Sequence, residues 1–340
     1  NIPQELLDYG IESFIELQWF LSNDVSEFFN DAKLSDGSVA TAVLASKIAV
    51  ANSAIDGMLQ YLYQLNDDTV AIKPPFALGA EKLALKLKYE QGINLPAVNP
   101  FFKILERTAE EIDNNKTKFL EIAGSLNPSK QPLENWTEVQ THHPAPGEVV
   151  EVLSNQLDVL KDFIRQKNII DIPEDETVIV KAAPAFMLYW YASMLMTGPF
   201  EAPPAPPAIY YASDPLGIVK GENGQSDWEA QNEFLKALIT PELWSTSAHE
   251  AYPGHFIQGY YTKRVKQELV DNRVLSKIPV TFIFAPFHYY EGWAHYCEQM
   301  IREEGFMEDA DSITYKEYLL GQLSDSLLRL CRTYAGIKMH

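Results

Sequence analysis

Apolar side chains at helical spacing over long stretches restrict this chain to a mainly helical fold. In the N-terminal half and again near the C-terminus, apolar residues recur every three or four positions, which places them on one face of an α-helix. The helices predicted in the first half cover 2–29, 38–65, 80–89, 101–123 and 147–166. Because 46% of the 340 residues are hydrophobic, the chain can bury a large core in one domain or in two lobes.

The middle of the chain has a different character. β-Branched residues from Asp175 to Pro184 predict a short strand. The stretch from Gly198 to Pro215 contains six prolines, which exclude a helix, and Ala208 to Ser213 is predicted as an edge strand to which an extended peptide can add. We therefore predict an N-terminal helical lobe at residues 1–170 and a catalytic lobe at 171–340, with one continuous domain as the alternative.

Helical signals return in the last third. Residues 240–242, Thr-Pro-Glu, predict a helix start, because a capping residue precedes a proline and an acid in the first turn. Further helices are predicted over 288–305, ending at a glycine, and over 312–336, where one apolar stripe predicts a buried helix. The predicted fold class is mainly α with a small β-sheet and a cleft between helical lobes.

Charge and cysteine content narrow the classes of function. The chain has 27 basic and 47 acidic residues, a formal charge of -20, and no long basic run, which argues against a nucleic-acid or anionic-membrane partner. Two cysteines exclude a disulfide framework, and Cys297 is predicted to be a packed thiol. We predict a soluble chain without a membrane span, either cytoplasmic or exported with a leader that is absent here.

The segment HEAYPGH, from His249 to His255, nearly spells the zinc-protease motif H-E-x-x-H, but its histidines lie six residues apart. At about 100° per residue, six positions rotate a side chain by about 240°, so a regular helix cannot aim both rings at one ion. Pro253 removes a backbone donor and Gly254 permits unusual backbone angles, so these two residues break the helix where a metal site requires it. The alternative is an ordinary Pro-Gly turn beside helix-end histidines.

A second motif supports the metal site. The segment EGWAHYCE, residues 291–298, resembles NEGFAxYxE, the helix that supplies the third ligand in aminopeptidase-N-like zinc peptidases. Together, HEAYPGHFIQ and EGWAHYCEQM resemble the bacterial and archaeal family called domain of unknown function 885, which is usually grouped with the gluzincin-type metallopeptidases. The resemblance covers residues 79–340 and is weaker before them. Family members usually continue beyond this point, which allows the chain to be a piece of a longer protein.

The resemblance implies a role for each motif residue. His249, His255 and Glu291 are expected to bind Zn²⁺, which leaves a fourth position open for catalysis. Glu250 is expected to take a proton from the attacking water and to pass it to the leaving amine. Glu298 lies two helical turns after Glu291 and is expected to orient a ligand histidine, with a solvated acid as the alternative.

Four further side chains are candidates for stabilising the transition state. His295 is a candidate donor to the substrate, and a ligand role is the alternative. Either Tyr211 or Tyr210 is a candidate oxyanion donor, unless both are ordinary strand aromatics. His340 is the remaining candidate, because it alone keeps the register of the D-x-G-x-H-like ending that the family commonly has.

The function predicted from these residues is zinc-dependent hydrolysis of amide bonds, with a short peptide or a small amide as the substrate. A zinc hydrolase of a non-peptide amide or ester uses the same residues and remains open. A catalytically silent helical binding protein with a relic metal site is the third possibility, although Glu250 argues against it. Serine chemistry is disfavoured because no G-x-S-x-G motif occurs.

Overall fold

Helices form most of the chain that the computed structural model describes, namely residues 2–29, 33–34, 36–67, 76–183, 191–198, 201, 206–216, 219, 227–271 and 287–340. In order, the helices are α1 (Gln4–Ser22), α2 (Asp24–Phe28), α3 (Thr41–Asp67), α4 (Ala80–Gln91), α5 (Phe102–Leu126), α6 (Pro132–Val139), α7 (Val149–Lys167), α8 (Trp228–Leu235), α9 (Thr240–Glu250), α10 (His255–Asp271), α11 (Phe287–Glu303) and α12 (Ser312–Met339). The strands are β1 (Val178–Ala182), β2 (Ala192–Leu195) and β3 (Ala208–Ala212). The predicted mainly helical fold with a small sheet is confirmed.

The chain separates into two compact units. The first comprises Asn1–Leu83 with Met339–His340, and the second comprises Ala84–Lys338. The lobes predicted at residues 1–170 and 171–340 stay a prediction, and residue 170 itself lies inside the second unit.

Two long helices build the first unit. Helices α1 and α3 pack along each other, and α3 buries one apolar face that includes Ile48, Ile55 and Leu62. Over Thr41–Asn66, α3 is also long and apolar enough to cross a membrane, with a mean hydropathy of 1.3 and 11% of its most apolar window buried. No other described helix meets this criterion of length and composition. The core helix of a soluble protein meets it too, so the predicted absence of a membrane span stays untested.

The sheet in the second unit has the order β1-β3-β2. Strand β3 runs parallel to β1 and antiparallel to β2. The prediction of an edge strand at Ala208–Ser213 was therefore wrong, because both sides of β3 already pair and its backbone cannot also accept a peptide. Tyr210 points to the buried face of β3, whereas Tyr211 points to the opposite, half-buried face.

The core of the second unit surrounds α9. Helix α7 contributes a stripe of buried side chains that includes Leu153 and Leu160, and β3 contributes Tyr210. Helix α9 itself is buried on nearly every side, from Leu243 to Glu250. A helix enclosed in this way holds its side chains in fixed positions, and α9 carries the first half of the HEAYPGH motif.

Several further elements differ from the sequence prediction. The single helix predicted over 2–29 is two helices, α1 and α2, separated at Asn23. Helices α6 and α8 and strand β2 were not predicted. Helix α6 begins in a segment whose composition predicts a loop. A helix can start there because Gln131 and Glu134 form a capping box around Pro132. Helix α12 is buried at Leu320 but exposes Cys331, which its apolar stripe had placed in the core. The segment GENGQSD, residues 221–227, is predicted from its composition to be a loop, and all of it except Asp227 lies outside the described residues.

Candidate metal centre

The HEAYPGH segment breaks between two helices. Helix α9 ends at Glu250, residues 251–254 are not helical, and α10 begins at His255. The peptide bond before Pro253 is cis. The predicted departure from regular helix geometry between Glu250 and His255 is therefore confirmed.

Gly254 allows this break to pass close to the last turn of α9. A Cβ atom at this position would lie 1.7 Å from the carbonyl oxygen of His249 and 2.4 Å from that of Ala248. The Gly254 N–H donates a hydrogen bond of 2.9 Å to the Ala248 carbonyl, and the Trp293 indole donates one of 3.0 Å to the Pro253 carbonyl. Residue 254 must therefore lack a side chain for α10 to start where it does.

The break brings three predicted ligands together. Nε2 of His249 lies 3.4 Å from one Glu291 oxygen, and Nε2 of His255 lies 3.7 Å from the other. One ligand atom of each residue lies within 4.8 Å of the other two. Tetrahedral zinc ligands at about 2.1 Å from the ion are about 3.4 Å apart, so this donor set fits zinc in both chemistry and spacing.

Glu298 holds the other edge of the His249 ring. Its Oε1 lies 2.7 Å from His249 Nδ1 and 3.3 Å from His295 Nδ1, and its Oε2 lies 2.7 Å from Arg329. Burial by itself would raise the pKa of Glu298, but the hydrogen bonds from both histidines and the charge of Arg329 outweigh it and hold the pKa far below its ordinary value. The residue is 3% exposed, so it is not a solvated acid.

His249, His295 and Glu298 form a second group of potential metal ligands. Its shortest separation, 2.7 Å between His249 Nδ1 and Glu298 Oε1, is that of a charge-assisted hydrogen bond. A proton on Nδ1 of His249 makes that bond and leaves Nε2 to face Glu291. The geometry therefore favours one metal position on the Nε2 side of the ring.

The carboxylates of Glu250, Glu291 and Glu298 surround His249 and favour the positively charged form of its ring. Burial would lower the pKa of His249, yet the hydrogen bonds to Glu291 and Glu298 outweigh it and raise the pKa to about 9. His255 is affected in the opposite sense, since burial and the charge of His249 lower its pKa to about 4. Burial raises the pKa of Glu250 to about 7, and the charge of His249 opposes that rise. A carboxyl group that titrates near neutrality can both accept and donate a proton.

The remaining predicted residues lie in three different settings. The His295 ring centroid lies 5.0 Å from that of His249, and the side chain is 39% exposed, so His295 borders the ligand cluster. Tyr211 is not brought to the cluster, because it faces away from the buried side of β3. His340 accepts a hydrogen bond of 3.1 Å from the Leu78 N–H and packs on Phe76, inside the first unit.

Comparison with known proteins identifies the family. The profile of a family described as "Bacterial protein of unknown function (DUF885)" matches residues 3–340. The chain belongs to this family. No curated protein matches the chain.

Among solved structures, this DUF885 protein is similar to one titled a "putative lipoprotein of unknown function" from Shewanella oneidensis. The two chains are 21% identical, with a TM-score of 0.66. The match covers 98% of this chain and 56% of the other, so this chain spans little more than half of that protein's length. At this identity the likeness shows the fold alone.

Two residues outside the predicted ligand set lie beside the centre of this DUF885 protein or its supports. Arg329 lies on α12 and donates a hydrogen bond to Glu298. The sequence signal that could have indicated this role is a charged residue within an apolar helical stripe. Tyr210 is one of the two tyrosines that were predicted as alternative oxyanion donors. Its hydroxyl is buried, and burial together with the charge of Glu250 raises its pKa. Tyr210, rather than Tyr211, is therefore the tyrosine beside the predicted base.

Proposed function

We propose that this protein is a zinc-dependent hydrolase of amide bonds that acts on short peptides and is related to the gluzincin-type metallopeptidases. The observation that carries the proposal is the meeting of His249, His255 and Glu291 at ligand spacing across a broken helix. A turn that served only to connect two helices would not require two imidazoles to face one carboxylate. Nor would it need a second carboxylate, Glu250, whose burial beside them raises its pKa to about 7.

The three ligands would hold the ion through Nε2 of both histidines and the Glu291 carboxylate. Bound there, zinc supplies a Lewis acid that polarises a carbonyl group and lowers the pKa of water. Glu298 would keep one proton of His249 on Nδ1, so that Nε2 is the nitrogen that presents a lone pair once zinc has displaced the other proton.

Glu250 performs the proton transfers in the proposed reaction. Its carboxylate takes a proton from the attacking water as the C–O bond forms at the scissile carbon. It then gives that proton to the leaving nitrogen as the C–N bond breaks, so the base is regenerated. Because Glu250 is 7% exposed, its proton is shielded from exchange with bulk water during the reaction.

Metal analysis tests the site itself. Protein purified without chelator should contain about one zinc per chain, and removal of zinc should lower the melting temperature. A metal-free protein whose melting temperature does not respond to added zinc would defeat the proposal.

Replacement of the base tests the chemistry. Glu250→Gln should keep zinc and lose at least about a hundredfold in turnover, because only the proton acceptor is removed. Glu121→Gln, a change at an exposed glutamate of α5, is the matched control and should be silent. Wild-type turnover in Glu250→Gln would remove Glu250 from its role.

A peptide library analysed by mass spectrometry tests the substrate class. Cleavage of short peptides supports the peptidase assignment. Cleavage of a small amide or ester alone would make the protein a hydrolase of non-peptide substrates. No cleavage at all by the zinc-loaded protein would favour the silent binding protein.

The compartment forms a separate part of the proposal. The similar structure from Shewanella oneidensis is described as that of a lipoprotein, which supports export of the present protein as well. Fractionation of the producing cells tests this, and recovery in the cytoplasmic fraction would contradict it.

A further inference from the structure

We propose that Arg329 is a positioning residue for the candidate metal centre. Its guanidinium, braced by Asp325, fixes the Glu298 carboxylate, and Glu298 in turn fixes the His249 ring with Nε2 toward Glu291. The inference rests on the proposed function, because it assigns a purpose to the orientation of His249. It adds a fourth helix, α12, to α9, α10 and α11, which carry the three candidate ligands.

The contacts form a continuous chain across buried protein. Arg329 Nη1 lies 2.7 Å from Glu298 Oε2, and Nη2 lies 3.1 Å from Asp325 Oδ2. The side chains of Glu298, Asp325 and Arg329 are 4%, 14% and 29% exposed. Ion pairs at such depth are short and directional, unlike flexible pairs at the surface.

The two oxygens of Glu298 have separate tasks. Oε1 receives the hydrogen bonds from His249 and His295, and Oε2 receives the one from Arg329. Without Arg329, Oε2 would be a buried charge with no partner, which is costly. The carboxylate would then rotate or take up a proton, and Nδ1 of His249 would lose a fixed acceptor.

Helix α12 is held close enough to make these contacts. A Cβ atom on Gly321 would lie 2.8 Å from the backbone nitrogen of Glu242, so α12 and the start of α9 are in backbone contact. The Gln322 amide donates a hydrogen bond of 2.7 Å to the backbone carbonyl of Glu298. Arg329 therefore approaches Glu298 from a helix that is anchored to both α9 and α11.

The planar shape of the guanidinium explains why this residue is an arginine. One fork spans two carboxylates on different helices, Glu298 on α11 and Asp325 on α12. A lysine ammonium is a single charge on a flexible stem, and it would satisfy Glu298 without holding the same direction. Arg329→Lys should therefore restore part of what Arg329→Gln removes.

The test compares Arg329→Gln and Arg329→Lys with Arg332→Gln, which changes an exposed arginine on the same helix. The first readout uses metal-free, ¹⁵N-histidine-labelled protein, in which the hydrogen-bonded Nδ1–H of His249 should give a downfield, slowly exchanging proton signal. The second readout is zinc affinity by chelator competition, with circular dichroism as the check on folding. Neither readout depends on turnover.

In Arg329→Gln, the Nδ1–H signal should exchange at least tenfold faster, and zinc should bind about 10–100-fold more weakly. Arg329→Lys should lie between that variant and the wild type, and Arg332→Gln should match the wild type. A folded Arg329→Gln protein with an unchanged signal and unchanged affinity would overturn the inference.

Two further outcomes keep the inference separate from the proposed function. If Arg329→Gln does not fold, Arg329→Lys decides, and a wild-type signal and affinity there would also overturn the inference. If the wild-type protein binds no zinc, the proposed function fails, while the proton signal alone still decides whether Arg329 positions His249.

Discussion

At the scale of single residues, Gly254 is the position with the least freedom in the candidate centre. Its Cα lies against the carbonyl groups of Ala248 and His249, and no side chain fits between them. The start of α10 must therefore move if any other residue replaces it. Because His255 is the first residue of α10, such a movement displaces a candidate ligand directly.

Gly254→Ala should abolish stoichiometric zinc binding and lower the free energy of unfolding by about 2 kcal/mol or more, because a methyl group is forced onto backbone atoms. Equilibrium denaturation and metal analysis measure the two effects. Gly57→Ala is the matched control, since a Cβ atom there meets nothing within 4 Å, and it should be neutral or stabilising. Full zinc occupancy in Gly254→Ala would contradict the close approach.

His249 provides a pH-dependent prediction at the same scale. In the metal-free protein its pKa is raised to about 9, so at pH 7 the ring carries a proton that zinc must displace. Apparent zinc affinity should therefore rise with pH, by up to about tenfold per unit, and should level off above pH 9. Calorimetry in buffers of different ionisation enthalpy should detect about one proton released at pH 7. If no proton is released at pH 7, the His249 ring is already neutral in the metal-free protein.

At the scale of secondary-structure elements, the contact between α9 and α12 holds the centre together. Helix α9 carries His249 and Glu250, while α12 carries Arg329, and the two helices meet at Gly321 with backbone-to-backbone contact. Such an approach is only possible where one helix lacks a side chain.

Gly321→Ala should destabilise the protein by about 1–3 kcal/mol, because its Cβ atom would lie 2.8 Å from the nitrogen of Glu242 and must push the helices apart. Gly336→Ala, in the same helix, meets nothing within 4 Å and should be stabilising by about 0.5–1 kcal/mol through helix propensity. Denaturant titration of both variants measures the difference, and equal effects would argue against the contact.

At the scale of the whole molecule, a buried acid pair ties stability to pH. Burial and the neighbouring Asp325 carboxylate raise the pKa of Glu242 well above its ordinary value of 4.5. Between pH 4.5 and the raised pKa of the folded protein, the folded protein keeps a proton that the unfolded chain loses. The free energy of unfolding therefore falls as the pH rises through this range. Arg329, which pairs with Asp325, offsets part of the repulsion once the pair has lost its proton.

Glu242→Gln should remove that pH dependence, because the amide carries no titrating proton. The variant and the wild type should have similar stability near pH 5, and the variant should be more stable near pH 8 by on the order of 2 kcal/mol. Urea unfolding at both pH values measures this. Parallel pH profiles for the two proteins would show that Glu242 is ionised in the fold.

Local sequence signals were sufficient for most helices and for the break in the helix between the candidate ligands. Apolar spacing located the long helices, and Pro253-Gly254 located the break, because both are properties of a few neighbouring residues. The place of β3 between β1 and β2 depends on pairing with distant strands, so its sequence could not show that it is not an edge. The choice between Tyr210 and Tyr211 depended on which face of β3 is covered.

The amino-acid sequence by itself determined that the chain is mainly helical, that a helix must break inside HEAYPGH, and that His249, His255 and Glu291 are the candidate ligands. Only the tertiary structure decided that these side chains converge, that Glu298 is buried rather than solvated, and that Arg329 supports it. Helix spacing and helix breaking are set within a few residues of chain. Convergence and burial depend on how helices distant in sequence pack, and no local pattern encodes that.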